Sequence, residues 1–124
     1  MKKYGVIIVD DAAFIRSILK NIIEKNEMFK VIAEGEDGNE AIMLAQNLNP
    51  DIIIIDINMP RINGLYVVKE ILKVSDKIKV IVCSALGQQP MVIDAIKLGA
   101  KDYLIKPFIE ERVIRALKNS IHSK

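Results

Sequence analysis

Asp10, Asp11, Asp56, Ser84 and Lys106 are the residues of this chain whose types could do chemistry together, and each closes a short apolar run. Gly5-Val6-Ile7-Ile8-Val9 stops at Asp10-Asp11, and Ile52-Ile53-Ile54-Ile55 stops at Asp56. Val80-Ile81-Val82-Cys83 stops at Ser84, and Tyr103-Leu104-Ile105 stops at Lys106-Pro107. Open parallel sheets bind ligands outside the carboxyl ends of their strands. If these runs are neighbours in one such sheet, three carboxylates, a hydroxyl and an ammonium converge. Two like unit charges about 4 Å apart repel by roughly 4 kcal/mol at an effective dielectric near 20, so three ionised acids call for a cation. Oxygen ligands without histidine or thiolate point to magnesium, with manganese as the alternative. Lys106 adds a fixed positive charge and Ser84 a hydroxyl that donates and accepts. That equipment suits phosphoryl transfer, where positioning and electrostatics do most of the catalysis, and an aspartate can be the covalent acceptor.

The elements between these runs must place them side by side. Ile15, Ile18, Leu19, Ile22 and Ile23 follow the spacing of one helix face. Phe29 to Glu34 alternates, with Phe29, Val31 and Ala33 on one side, as a strand does. Asp37 to Leu48 carries Ala41, Ile42, Leu44, Ala45 and Leu48 along a helical stripe, and Pro50 clears the way for the third strand. A third helix spans Leu65 to Lys73 after Asn63-Gly64. Pro90 opens the fourth, since a first-turn proline lacks only an N–H that would be unpaired there anyway, and Gly99 closes it as a C-terminal cap. Val113, Ile114, Leu117 and Ile121 stripe the last helix. Five βα units therefore follow one another without a linker or repeat. The third strand is apolar throughout and must be covered on both faces, so it is central. The alternating second and the short fifth suit the edges. Right-handed crossovers then predict an α/β fold, a doubly wound five-stranded parallel sheet in the order 2-1-3-4-5, reversing where Asp10-Asp11 and Asp56 end.

Composition narrows the classes. The chain has 124 residues, 51% hydrophobic and 27% charged, which suits one globular domain over 1–124 without a separate output domain. A net charge of +2 is too small to argue for nucleic acid. The single cysteine, Cys83, excludes an internal disulfide and fits a reducing compartment. Apolar runs are strand-sized, far below the roughly 20 residues that cross a bilayer. Met1-Lys2-Lys3-Tyr4 leads directly into the first strand, so no signal peptide is expected. The expectation is a cytoplasmic, monomeric protein binding neither membrane nor nucleic acid.

Over its whole length the chain resembles the receiver domains of two-component response regulators. The resemblance rests on Asp10-Asp11, Asp56-Ile57-Asn58-Met59-Pro60, Asn63-Gly64, Ser84-Ala85, Tyr103 and Lys106-Pro107-Phe108, in that order and spacing. It implies that Asp56 accepts phosphate from a histidine kinase. Magnesium would sit on Asp10, Asp11 and Asp56 with the backbone carbonyl of Asn58. Ser84 would bind the phosphoryl group, Lys106 would pair with it, and Tyr103 would report the change at the surface. The Lys106-Pro107 bond is expected to be cis, aiming Lys106 into the pocket. Ser84 stands where many members carry threonine, an accepted variant. Asp10-Asp11-Ala12-Ala13-Phe14-Ile15-Arg16 and Cys83 to Ile93 are similar to the single-domain chemotaxis regulators of that family. This implies a switch and not an enzyme proper, with only self-phosphorylation and self-dephosphorylation of its own. Its implied partners are a chemotaxis histidine kinase, a phosphatase, and a flagellar or archaellar motor or adaptor protein. The last would dock on the face of helix four, strand five and helix five, where Lys97, Lys101, Arg112, Arg115 and Lys118 suggest an acidic docking surface.

Other readings compete at single positions. Asp10-Asp11 alone could cap the first helix, Lys106 alone could be a solvated strand-end charge, and Asn58 to Gly64 could be loop punctuation. Cys83 reads as buried and His122 as solvated. For Phe14 and Met91, exposure to partners and ordinary packing weigh equally. A stand-alone phosphorelay receiver remains as an alternative function. A magnesium-dependent phosphohydrolase usually carries a second aspartate two residues after its nucleophile, where this chain has Asn58. A flavodoxin-like nucleotide binder would want a phosphate-cradling first loop, whereas Asp10-Asp11-Ala12-Ala13 repels phosphate unless a metal intervenes.

Overall fold

The computed structural model describes residues 2–59 and 63–123, so Met1 and Pro60 of the stretches quoted above lie outside the described residues. Strands and helices alternate as β1 Tyr4–Val9, α1 Ala13–Glu24, β2 Phe29–Gly35, α2 Gly38–Leu48 and β3 Ile52–Asp56. They continue as α3 Gly64–Val74, β4 Lys79–Ser84, α4 Gln89–Leu98, β5 Asp102–Ile105 and α5 Glu110–Ile121. All pairings are parallel and the order is β2-β1-β3-β4-β5, as the apolar patterns predict.

Alternation along β3 divides the core. Ile53 and Ile55 pack with Ala41 and Ala45 of α2 and Val67, Val68 and Ile71 of α3 on one face. Ile52 and Ile54 pack with Leu19 and Ile23 of α1 and Val113 and Leu117 of α5 on the other. Burying one such side chain stabilises by roughly 1.5–3 kcal/mol. With both faces covered, β3 can be apolar until its last residue, where the chain leaves the core and Asp56 becomes tolerable.

Local chemistry sets the turns at the carboxyl end. Asp37 caps α2 by accepting from the Glu40 N–H at 2.8 Å, so the helix begins one residue later than the spacing suggested. Asn63 caps α3 by accepting from the Leu65 N–H at 2.9 Å. Gly64 allows a close approach: a Cβ there would lie 2.6 Å from the Ile57 carbonyl oxygen. Asn63-Gly64 therefore seats α3 on the end of β3 and is more than punctuation. Gly99 ends α4 with φ of 124°, in the region that favours glycine. Between β1 and β2 the register shifts, with Val6 opposite Val31 and Ile7 opposite Ala33, leaving Ile32 as a bulge turned outward. No described helix is long and apolar enough to cross a membrane.

Candidate functional site

Asp10 directly follows β1 and Asp56 ends the adjacent β3, and both are almost wholly buried, at 2% and 5% exposure. Such carboxylates need partners, and each oxygen has one. Asp10 Oδ1 accepts from the Ala12 N–H at 2.9 Å, and Asp56 Oδ1 accepts from the Asn58 N–H at 2.8 Å. The other two oxygens share one cation: Lys106 Nζ lies 2.8 Å from Asp10 Oδ2 and 3.0 Å from Asp56 Oδ2. Asp11, exposed, completes a trio in which one carboxylate oxygen from each residue lies within 4.8 Å of the other two.

The sheet accounts for the reach of Lys106. Its N–H donates to the Ser84 carbonyl at 3.0 Å, continuing the β4–β5 ladder past the strand end, and the Lys106-Pro107 bond is cis as expected. Burial acts to lower the Lys106 pKa, but hydrogen bonds to Asp10 and Asp56 and their charges outweigh it, so the net direction is upward. Lys106 is therefore no solvated strand-end charge. Nor does either acid cap α1, whose N-cap is Ala12 without a side-chain hydrogen bond.

Ser84 is fully buried, and its hydroxyl donates to the Ala85 carbonyl at 3.0 Å. Tyr103 stands apart from this group. It pairs with Val82 on the edge strand and is 41% exposed. There the Arg112 guanidinium lies 5.1 Å from the ring centroid, a cation–π arrangement, and Nη2 donates to the Tyr103 carbonyl at 2.7 Å. Asp102 holds the same guanidinium through both oxygens, at 2.6 and 3.2 Å. The hydrogen bond to Asp102 leads in raising the Arg112 pKa, against the opposing effect of burial. From the sequence, Arg112 carries only its charge. Nothing in the spacing signals that a residue ten positions on closes over β5.

The remaining expectations divide. Cys83 is buried, and desolvation first and Asp56 second push its thiol far above the ordinary range, leaving it unreactive. His122 is exposed at the end of α5. Phe14 is 74% exposed, whereas Met91 packs against the core beneath α4.

Asp10, Asp11 and Asp56 fit a hard divalent cation. Their donors are all oxygen, and a carboxylate oxygen that accepts one hydrogen bond keeps a second lone pair for a ligand. Three acids face one ammonium, a deficit of two charges that a divalent ion would cancel.

Known proteins with this pattern place the chain in a family. The model of the response regulator receiver domain matches residues 6–118, and the chain belongs to that family. The chain is 53% identical over 112 residues to the chemotaxis protein CheY of Thermotoga maritima, covering 90% of this chain and 92% of that protein. It is 44% identical over 119 residues to the chemotaxis protein CheY of Bacillus subtilis, covering 96% and 98%. The crystal structure of the response regulator domain of Thermotoga maritima CheB superposes with a TM-score of 0.91 at 31% identity, over 99% of each chain.

Proposed function

We propose that this chain is a phosphorylation-dependent switch that takes phosphate on Asp56 from a histidine kinase and passes a chemotaxis or motility signal to a protein partner. The observation that carries this reading is the Lys106 ammonium shared between Asp10 and Asp56. It marks a buried acidic pocket already arranged to balance negative charge. The phosphorus–nitrogen bond of a partner phosphohistidine breaks, its electron pair returning to the imidazole, as a carboxylate oxygen of Asp56 bonds to phosphorus. Lys106 exchanges its Asp56 contact for a phosphoryl oxygen. Ser84 turns its hydroxyl from the Ala85 carbonyl toward another. The Asn58 N–H keeps Asp56 oriented, and the Asn58 carbonyl would serve beside Asp10, Asp11 and Asp56 in holding magnesium. The ion supplies charge neutralisation for the transferred group.

Tyr103 on β5 is the link to the face formed by α4, β5 and α5, where a motor or adaptor protein would bind. A local charge change that biases a two-state element is enough for such a device. Loss of the phosphate to water resets it, alone or with a phosphatase. The relatives named CheY support the chemotaxis assignment. The receiver-domain match over residues 6–118 supports action through protein partners, and we place the protein in the cytoplasm.

Incubation with a small phosphodonor and magnesium should add one phosphate to the intact protein by mass spectrometry, and Asp56→Asn should add none. Equal labelling of that variant would remove Asp56 from its role. Capture with beryllofluoride-activated protein then separates the outputs: a motor component supports chemotaxis, and a phosphotransferase supports a relay.

A further inference from the structure

We propose that Arg16 is a positioning residue for the acid pair Asp10-Asp11, fixing through the backbone the direction in which Asp11 presents its carboxylate to a divalent cation. The inference rests on the metal-binding reading above. Arg16 lies in α1 with its side chain only 11% exposed, so its donors need protein partners. Nη1 donates to the Asp10 carbonyl at 2.6 Å. Nε donates to Glu34 Oε1 at 3.0 Å, and Nη2 lies 3.8 Å from Glu36 Oε1. The Asp10 N–H is held as well, donating to the Gly35 carbonyl at 3.1 Å.

Both polar groups of the Asp10 backbone are thus tied, one to α1 and one to β2. The carbonyl belongs to the planar peptide that joins Asp10 to Asp11. Holding its direction holds the plane from which Asp11 emerges. That matters because Asp11 has no other restraint: its exposed carboxylate takes no hydrogen bond or ion pair among the described residues. Asp10 and Asp56, by contrast, are oriented directly by N–H groups and Lys106. Arg16 does for Asp11 what those contacts do for the other two.

The sign of the effect separates positioning from charge. A guanidinium near the pocket repels a divalent cation, so if only its charge counted, removing it would strengthen binding. A positioning role predicts the reverse. Magnesium titration by calorimetry of Arg16→Met, on the full chain with its fold checked by circular dichroism, should show affinity lowered by about 10-fold, the lower end of the range for residues that support metal ligands. Arg16→Lys can keep one donor on the Asp10 carbonyl and should lose less. In an Asp11→Ala background, Arg16→Met should change affinity by no more than about 2-fold, because the group it positions is gone. Amide exchange at Asp10, whose N–H donates to the Gly35 carbonyl, should accelerate in Arg16→Met without any metal present. Unchanged or tighter magnesium binding in folded Arg16→Met overturns the proposal. So does an equal loss in the Asp11→Ala background, which would mark a general structural role. Should Arg16→Met fail to fold, Arg16→Lys carries the same cycle and the same exchange measurement. A parent protein that binds no magnesium would instead overturn the pocket reading itself, a distinct result.

Discussion

Lys106 and Arg112 invite comparison because so much about them matches. Their side chains are 24% and 29% exposed, Lys106 directly follows β5 and Arg112 stands in the first turn of α5, and both grip carboxylate oxygens at 2.6–3.2 Å. They differ in stoichiometry. Arg112 meets one carboxylate through a two-pronged bond and adds a carbonyl and a ring, so its cluster is neutral and closed. Lys106 is divided between two buried acids with a third nearby, so its cluster stays short of positive charge. A closed ion pair has little to gain from another ion, whereas an unbalanced pocket is stabilised by one. Charge deficit, more than the presence of acids, distinguishes a place for exchange from a place for structure.

Removing each cation is the most severe way to break that comparison. Lys106→Met leaves Asp10 and Asp56 buried beside each other without compensation, and should cost about 3 kcal/mol in the absence of divalent ions, as for other broken buried pairs. Magnesium should recover part of that loss, giving the variant a larger magnesium-induced rise in midpoint than the parent. Denaturant titrations with and without magnesium provide the test, and a loss indifferent to magnesium would contradict the deficit. The pH dependence has a fixed sign. Because the folded pKa of Lys106 is raised, its contribution is fully present below the ordinary lysine value near 10.4 and is lost as pH climbs through the raised one. The parent–variant difference should therefore stay level from about pH 7 to 9 and shrink only beyond about 10.5.

The two clusters were unequally legible in the sequence, for a physical reason. The pocket is written in strand ends: four apolar runs stop at functional residues, and parallel order then brings the ends together. Period and turn chemistry carry that much. Side-chain closure is not periodic. Whether Lys106 would point to solvent or to two acids depended on the turn beyond β5, and that Arg112 would fold back on Tyr103 depended on how α5 returns across the edge strand. Arg16 was visible within a motif, but its bond to a backbone carbonyl was not. The missing Cβ of Gly64 likewise has meaning only once Ile57 is in place beneath it.

Ser84→Ala tests whether the pocket and the edge communicate, with an effect of intermediate size. The hydroxyl is buried and, among the described residues, bonded only to the Ala85 carbonyl, so its loss should leave phosphorylation of Asp56 largely intact. What should weaken is the gain in partner affinity on activation. Couplings of this kind are typically about 1–3 kcal/mol, or about 5–150-fold. Binding measured with and without beryllofluoride reports it directly. If Ser84→Ala gains affinity on activation as fully as the parent, the two clusters are linked by another route.

Arg112→Gln is expected to have the smallest effect, and its smallness is the point. The guanidinium leaves behind one carboxylate, Asp102, at the sheet edge where water can reach it, so stability should fall by less than about 1 kcal/mol. Magnesium should not alter that difference, because no unbalanced acids are uncovered. The variant should nonetheless free the Tyr103 ring. Losing a cation–π contact worth about 0.5–1 kcal/mol corresponds to a shift of roughly 2- to 5-fold in the balance of ring orientations. Side-chain couplings of carbon-labelled tyrosine would measure it. A stability loss as large as that of Lys106→Met, or one relieved by magnesium, would mean that the number of acids per cation does not separate the two clusters. A ring that keeps its orientation without Arg112 would show that packing on β5, not the guanidinium, holds Tyr103 outward.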